Sequence, residues 1–313
     1  MLRKSFALVF NARAGVARPK LLDGVLAGLK SAGAEVFALP ARTAGEAAAR
    51  VADLSASQKA DAVIAAGGDG TFRAVATGAA GTDLAVGFLP LGTGNVLAHE
   101  IGLRKSAHCI AQGLREHPTI PIQGGLVNGA PFFLMAGAGF DAHAVQALNY
   151  KAKRLLARAA YAVPLAKALQ RGRALFDVDV DGRTFNASWV IVTRASHYGG
   201  AFLLTRDTQL GTKAMIAVVI EAATLPALAT AASALALGRL ANAETRPRGV
   251  TVLRADRVRI GQRVEAPVQV DGDDAGTTPI DIVATGPSVR LIVPPAYVAD
   301  LTNRHTNHVH LIS

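Results

Sequence analysis

In the first third of the chain, short apolar runs alternate with segments of helical spacing. Phe6 to Phe10 is a continuous apolar run that predicts a buried strand, and it breaks into the small-residue loop Asn11-Ala12-Arg13-Ala14-Gly15. Leu21, Leu22, Val25, Leu26 and Leu29 then recur at helical spacing, Val36 to Leu39 predicts a second strand, and Thr43 precedes an alanine-rich helix from Ala44 to Leu54. The run from Ala60 to Ala66 predicts a third strand that turns through Gly67-Gly68-Asp69-Gly70-Thr71 into a helix start at Phe72. A fourth strand, Leu84 to Leu89, runs into Pro90-Leu91-Gly92-Thr93-Gly94-Asn95 and another helix. Four such junctions put their loops on one edge of a mostly parallel sheet, where α/β folds bind ligands.

From about residue 123 the pattern changes. Asn128-Gly129 and Asp181-Gly182 sit between alternating or β-branched runs and predict hairpin turns. Strands are expected at Phe132 to Ala136, Leu175 to Val180, Trp189 to Thr193, Met215 to Ile220, Val250 to Leu253, Val264 to Val270 and Val289 to Val293. Helical inserts are expected near Ala142 to Arg171 and Leu225 to Leu240. The pattern predicts an α/β domain with a mostly parallel sheet, a short boundary near Pro121 to Gly124, and an antiparallel β domain after it.

The glycine junctions bring in chemistry. Glycine can take positive φ and has no Cβ, so a polyphosphate can approach a backbone whose unpaired N–H groups sit at the positive end of a helix. A carboxylate there would repel phosphate unless it holds magnesium or takes a proton from an acceptor hydroxyl, so Asp69 points to phosphoryl transfer. The plainer reading makes Asp69 the N-cap of the following helix.

Composition narrows the partners. The 313 residues carry 33 Lys and Arg against 23 Asp and Glu, a formal charge of +10, which favours anionic partners. Aromatic residues make up only 5%, which argues against single-stranded nucleic acid, whose binders need stacking platforms. The single cysteine, Cys109, excludes an internal disulfide, fits a reducing compartment and reads as a small core residue. Ala222 to Gly238 is uncharged but contains Pro226 and is shorter than the roughly 20 residues a bilayer span requires. The basic residues Lys151, Lys153, Arg154, Arg158, Lys167, Arg171 and Arg173 share a segment with Leu155, Leu156, Tyr161, Leu165 and Leu169, a pattern that suits an anionic membrane surface or an ordinary solvated helix. His305, His308 and His310 do not share a helix face and read as a tail rather than a metal site.

Six motifs together resemble the diacylglycerol kinase catalytic family, which includes bacterial lipid kinases and sphingosine and ceramide kinases. They are Asn11 to Gly15, Gly67 to Thr71, Gly92-Thr93-Gly94-Asn95, Gly137-Ala138-Gly139-Phe140-Asp141-Ala142, Tyr198-Gly199-Gly200 and Val268-Gln269-Val270-Asp271-Gly272-Asp273. The resemblance implies an ATP- and magnesium-dependent lipid kinase, with a Rossmann-like α/β nucleotide domain over 1–123, an antiparallel β-sandwich-like lipid domain over 124–294, an active site between them and a tail from about 295 to 313 packing back on the first domain. It implies nucleotide contacts from Asn11, Gly15, Thr43, Gly67, Gly68, Gly70, Thr71, Gly92, Thr93 and Asn95. Asp69, Asp271 and Asp273 are the implied catalytic carboxylates, with Asp69 and Asp271 serving magnesium. In a continuing strand Asp271 and Asp273 would share a face, whereas Asp271-Gly272 alone would be a plain hairpin turn.

The chain departs from the family pattern in four places. Asp273 replaces a glutamate, which leaves the general base open between Asp273, Asp274 and Asp69. Val96 stands where many relatives have aspartate, Leu210-Gly211-Thr212 replaces an Asp-Gly pair that helps bind a structural metal, and Ala12 replaces a proline. His197 precedes Tyr198-Gly199-Gly200, a stretch that borders the interdomain cleft in relatives, so it is a candidate substrate contact, with a structural hydrogen bond as its plainer role. The resemblance implies a diacylglycerol, sphingosine or ceramide-type substrate and a cytoplasmic enzyme resting on the inner face of the membrane. An NAD kinase-like enzyme and a non-catalytic lipid-binding protein are the alternatives.

Overall fold

A computed structural model of the chain describes residues 2–10, 18–140, 142, 175–261 and 263–309, with side chains through 303. The loop Asn11 to Gly15, Asp141, the basic segment 151–173 and the side chains of His305, His308 and His310 lie outside what is described. The chain folds into two units, one of Met1–Gln123 with Pro287–Ser313 and a second of Gly124–Gly286.

The first unit alternates strand and helix: β1 (Ser5–Phe10), α1 (Pro19–Ser31), β2 (Glu35–Ala38), α2 (Ala44–Ser57), β3 (Ala62–Gly67), α3 (Asp69–Ala79), β4 (Ala85–Pro90), α4 (Val96–Glu100), α5 (Ala107–Glu116) and β5 (Thr119–Gln123). Strands β2, β1, β3 and β4 lie side by side and parallel, so their C-terminal ends share one edge. The order reverses between β1 and β3, and the β3–α3 junction opens at that switch point. Alternate residues Phe6, Leu8, Ala62, Ile64 and Ala66 pack with Val25 and Leu29 of α1 and Ile110 and Leu114 of α5. Their neighbours Ala7, Val9, Val63 and Ala65 are buried as well, the pattern of strands covered on both faces.

The strand Ser288–Ile292 corrects one expectation. Sequence places Val289 to Val293 among the strands of the β domain, but the strand lies parallel to β4 and antiparallel to β5 inside the first sheet. An apolar run carries no record of its partner, because the same Val289 and Leu291 would suit either core. The C-terminal helix α7 (Pro295–Val309) is tied to the same unit by Tyr297, whose hydroxyl donates to Glu100 Oε1 at 3.2 Å where both side chains are buried.

The second unit is an antiparallel β-sandwich, in agreement with the expected class. One six-stranded sheet runs Arg183–Ala187, Phe176–Val180, Arg257–Ile260, Ile280–Val283, Gly125–Val127, Ala130–Phe132, and the other Val250–Arg254, Ile216–Ile220, Trp189–Thr193, Met135–Gly139, Pro267–Val270, Asp273–Thr277. Val190 and Val192 point into the core between the sheets, with Val178, Val258 and Ile282 opposite. The period-2 partners Trp189 and Ile191 point the other way, where helix α6 (Leu225–Ala236) covers them with Leu228, Ala231 and Leu235. The expected strand Phe132 to Ala136 is broken at Phe133 and Leu134, for a reason that lies in the site.

Candidate functional site

Helix α3 begins immediately after β3. Gly68 is its N-cap and Asp69 its first residue, so Asp69 is not the N-cap. The first bond into the helix runs from the Phe72 N–H to Gly68 O at 3.1 Å, which leaves the Gly70 and Thr71 amides ahead of the intrahelical ladder, at the positive end of the dipole. None of Gly67, Gly68, Gly92 and Gly94 has positive φ, so here the glycines serve close approach and not a left-handed turn. A Cβ on Gly67 would run into the Thr71 side chain, and one on Gly92 would lie 2.8 Å from the Gly68 Cα. The left-handed residue of the second junction is Asn95, at φ 50°.

The two junctions are bound together. The Leu91 and Gly92 amides donate to Gly67 O at 2.9 and 3.2 Å, and the Asp69 carboxylate accepts the Val96 N–H at 2.9 Å and the Leu97 N–H at 3.1 Å. Asp69 therefore caps α4, the helix of the other junction. Asn95 is 2% exposed; its Nδ2 donates to Gly92 O at 2.7 Å, and its Oδ1 has no partner. Thus Gly67, Gly68, Asp69, Gly70, Thr71, Gly92, Thr93 and Asn95 gather in one place. Thr43 caps α2 instead: its Oγ1 accepts the Glu46 N–H at 3.1 Å, and Glu46 Oε2 accepts the Arg42 N–H at 2.8 Å. These bonds, the Arg42 amide first and the Arg50 guanidinium second, hold the Glu46 carboxyl below its ordinary value.

Asp271 and Asp273 belong to the second unit. Asp271 and Gly272, at φ 48° and 81°, form the two-residue turn between Pro267–Val270 and Asp273–Thr277, so the chain reverses between the two aspartates and they do not share a strand face. The Asp271 carboxylate is 2% exposed and accepts three amides, from Phe133 at 3.0 Å and from Leu134 and Met135 at 2.9 Å each. These bonds break the expected Phe132 to Ala136 strand by drawing Phe133 and Leu134 out of the ladder.

The same device recurs twice. Asp181 accepts the Asp256 and Arg257 amides at 2.9 and 2.8 Å, and Asn128 Oδ1 accepts the Asp281 N–H at 2.9 Å. In all three turns the first residue's own N–H donates to a carbonyl of the strand it grips: Met135, Arg257 and Asp281. An aspartate or asparagine before glycine at these positions fastens a hairpin to its neighbour. Asp273 and Asp274, by contrast, are exposed at the start of the next strand.

The donor sets answer the nucleotide and the metal differently. The amides of Gly70 and Thr71 and the close-packed glycines fit a phosphate chain. Asp271 does not fit a magnesium ligand, because that ion needs open oxygens and keeps several waters, whereas this carboxylate is enclosed and occupied by three N–H groups. Among the described residues, no group of three or more His, Cys, Asp or Glu could hold a metal. Around Leu210 the turn is closed by hydroxyls: Thr208 Oγ1 donates to Ala214 O at 2.7 Å and Thr212 Oγ1 to Gln209 O at 2.8 Å.

Arg194 carried no signal in the sequence. It is buried, gives its guanidinium to Lys213 O at 3.3 Å and to Ala284 O, and has no ion pair among the described residues; desolvation pushes it down to about 10. It joins the ends of the two sheets of the sandwich. His197 Nδ1 lies 3.0 Å from Ser196 Oγ.

Comparison with known proteins fits this construction. Residues 5–127 match the diacylglycerol kinase catalytic domain, and 135–294 match the YegS C-terminal NAD kinase beta sandwich-like domain. The chain belongs to the diacylglycerol kinase catalytic-domain family. A diacylglycerol kinase of Bacillus subtilis is 27% identical over 285 residues, 88% of this chain and 91% of that protein. An uncharacterized protein of Synechocystis is 24% identical over 237 residues, 74% of this chain but only 54% of the length of that relative. The crystal structure of a diacylglycerol kinase from Bacillus anthracis superposes with a TM-score of 0.69 at 17% identity, covering 95% of this chain and 98% of the other, a likeness of fold.

Proposed function

We propose that this protein is a lipid kinase that uses ATP and magnesium to phosphorylate the primary hydroxyl of a diacylglycerol, sphingoid or ceramide-type lipid. The reading is carried by the pair of glycine junctions held against each other by Asp69, in a chain whose family is that of the diacylglycerol kinases. The Gly70 and Thr71 amides take the phosphates, with Gly67, Gly68, Gly92, Thr93 and Asn95 around them and Asn11, Gly15 and Thr43 assigned by family resemblance. Magnesium bound with the nucleotide would neutralise charge on its phosphate oxygens. Asp69 holds the two junctions in register and is the carboxylate nearest in sequence to the phosphate amides. Asp271 holds the turn that presents Asp273 and Asp274, and Asp273 takes the proton of the lipid hydroxyl. The enzyme works at the inner face of the membrane, with 151–173 as one cationic docking segment.

Incubation with labelled ATP, magnesium and separate diacylglycerol, sphingosine, ceramide and NAD acceptors tests this. Label is expected on a lipid and lost with Asp273→Asn. Label on NAD alone moves the protein to an NAD kinase activity. Transfer to none of them selects the non-catalytic lipid-binding reading, which the occupied carboxylates of Asp69 and Asp271 would suit.

A further inference from the structure

We propose that the outward face of α6, with the hairpin beside it, is a surface that rests on an anionic lipid bilayer. This rests on the lipid-kinase reading only in needing a membrane-resident substrate, and none of its residues belongs to the glycine junctions or the Asp271 turn.

A solvated helix face ordinarily carries lysine and glutamate. From Ala222 to Gly238 the chain has no charged residue, although Leu225, Thr230, Ser233, Ala236 and Leu237 are exposed. Six large apolar side chains are exposed among the described residues, and three of them belong to this helix and its neighbouring hairpin: Leu225, at 37%, begins α6, Leu237, at 65%, caps its other end, and Phe202 is 43% exposed. Phe202 stands on the short hairpin His197–Tyr198 and Phe202–Leu203, which packs beside α6 and sends Leu204 into the same core cluster. At 12 residues α6 is too short to cross a bilayer, so such a face is suited to lying in the interface.

Charge selects the occupant. The chain leaves α6 through Arg239, Arg246 and Arg248, with Glu244 among them, and these arginines form no ion pair among the described residues. A shallow groove of about 310 Å³ joins this rim to the helix, with Thr230, Ser233, Arg239 and Thr245 on its walls. Guanidinium groups beside a neutral apolar face match a phosphate headgroup above acyl chains. A second copy of the chain meeting this face about a two-fold axis would bring the arginines of both copies together.

The test uses the full chain and phosphatidylcholine vesicles with or without phosphatidylglycerol. Co-sedimentation is expected with the anionic vesicles, to weaken with salt, and to fall about tenfold in each of two double variants, Phe202→Ser with Leu237→Glu and Arg239→Glu with Arg248→Glu. Phosphorylation of a dispersed short-chain diacylglycerol should be unchanged in both, while phosphorylation of vesicle-embedded diacylglycerol falls. Unchanged partition of both variants overturns the proposal, as does failure of the native protein to bind, loss only when Lys151, Lys153, Arg154 and Arg158 are reversed, or a dimer that Leu237→Glu dissociates. Vesicle binding that depends on α6 without phosphorylation of any lipid would reject the kinase reading and leave the surface standing; phosphorylation with unaltered partition would do the opposite.

Discussion

The Asp69 carboxylate accepts the Val96 N–H at 2.9 Å, so a residue at the start of one helix supplies the cap of another. One side chain thereby sets the spacing of the two glycine junctions. Replacement by alanine removes a charged cap from α4 and is expected to cost about 1–2 kcal/mol. Asparagine replaces one of the two acceptor oxygens, each of which takes one amide, by an NH2 group that cannot accept. Asp69→Asn is therefore expected to lose about 100-fold in kcat/KM for ATP through misplacement of the junctions, with a smaller loss of stability. Steady-state kinetics beside urea unfolding separates the two effects.

Asp271 and Asp181 perform the same fastening in different surroundings. Asp271→Ala strands three amides at a site 2% exposed, whereas Asp181→Ala frees two amides at the surface. A loss of about 3 kcal/mol or more is expected for the first and about 1 kcal/mol for the second, because an unmet donor is costly only where water cannot reach it. Equal effects in urea unfolding would contradict this account of the turn.

Gly92→Ala drives a Cβ to 2.8 Å from the Gly68 Cα, a backbone atom that cannot swing aside, and to 2.8 Å from Asn95 Oδ1, on a side chain whose Nδ2 donates to Gly92 O. A cost of about 1–3 kcal/mol and loss of nucleotide binding are expected. Gly94→Ala meets nothing within 4 Å and should leave the melting temperature unchanged.

His117 closes α5, and burial, the largest influence, pushes its pKa below the ordinary value; nearby Glu116 opposes this and Arg3 adds to it. The unfolded chain therefore binds a proton first as the medium is acidified. The associated stability is present above the ordinary histidine pKa and is lost as pH falls through the lowered one. His117→Gln should flatten the decline in stability between about pH 7 and pH 5, measured by urea unfolding at each pH.

The β-α alternation, the glycine junctions and the change to antiparallel strands after residue 123 were legible in the sequence, since each is written in local periodicity and turn chemistry. The expected glycine mechanism was half right: contact between Gly68 and Gly92 requires small residues, and positive φ falls on Asn95. Asp271 shows why roles are harder to read than motifs. Asp271-Gly272 looks like Asp181-Gly182 in sequence, and only the fold buries one and exposes the other.

By itself, then, the chain's pattern determined the four parallel strands of the first unit with the helices that follow them, and where backbone can approach a phosphate, because those properties depend on residues a few positions apart. The strands Thr119–Gln123, Arg257–Ile260 and Ile280–Val283, which the pattern did not single out, are defined by their distant partners. Tertiary structure alone decided that Asp69 caps α4, that Asp271 grips Phe133 to Met135, that Ser288–Ile292 joins the first sheet and that Arg194 is buried. Each of these is a pairing between residues far apart in sequence, and a donor or an apolar side chain carries no mark of the distant partner that will satisfy it.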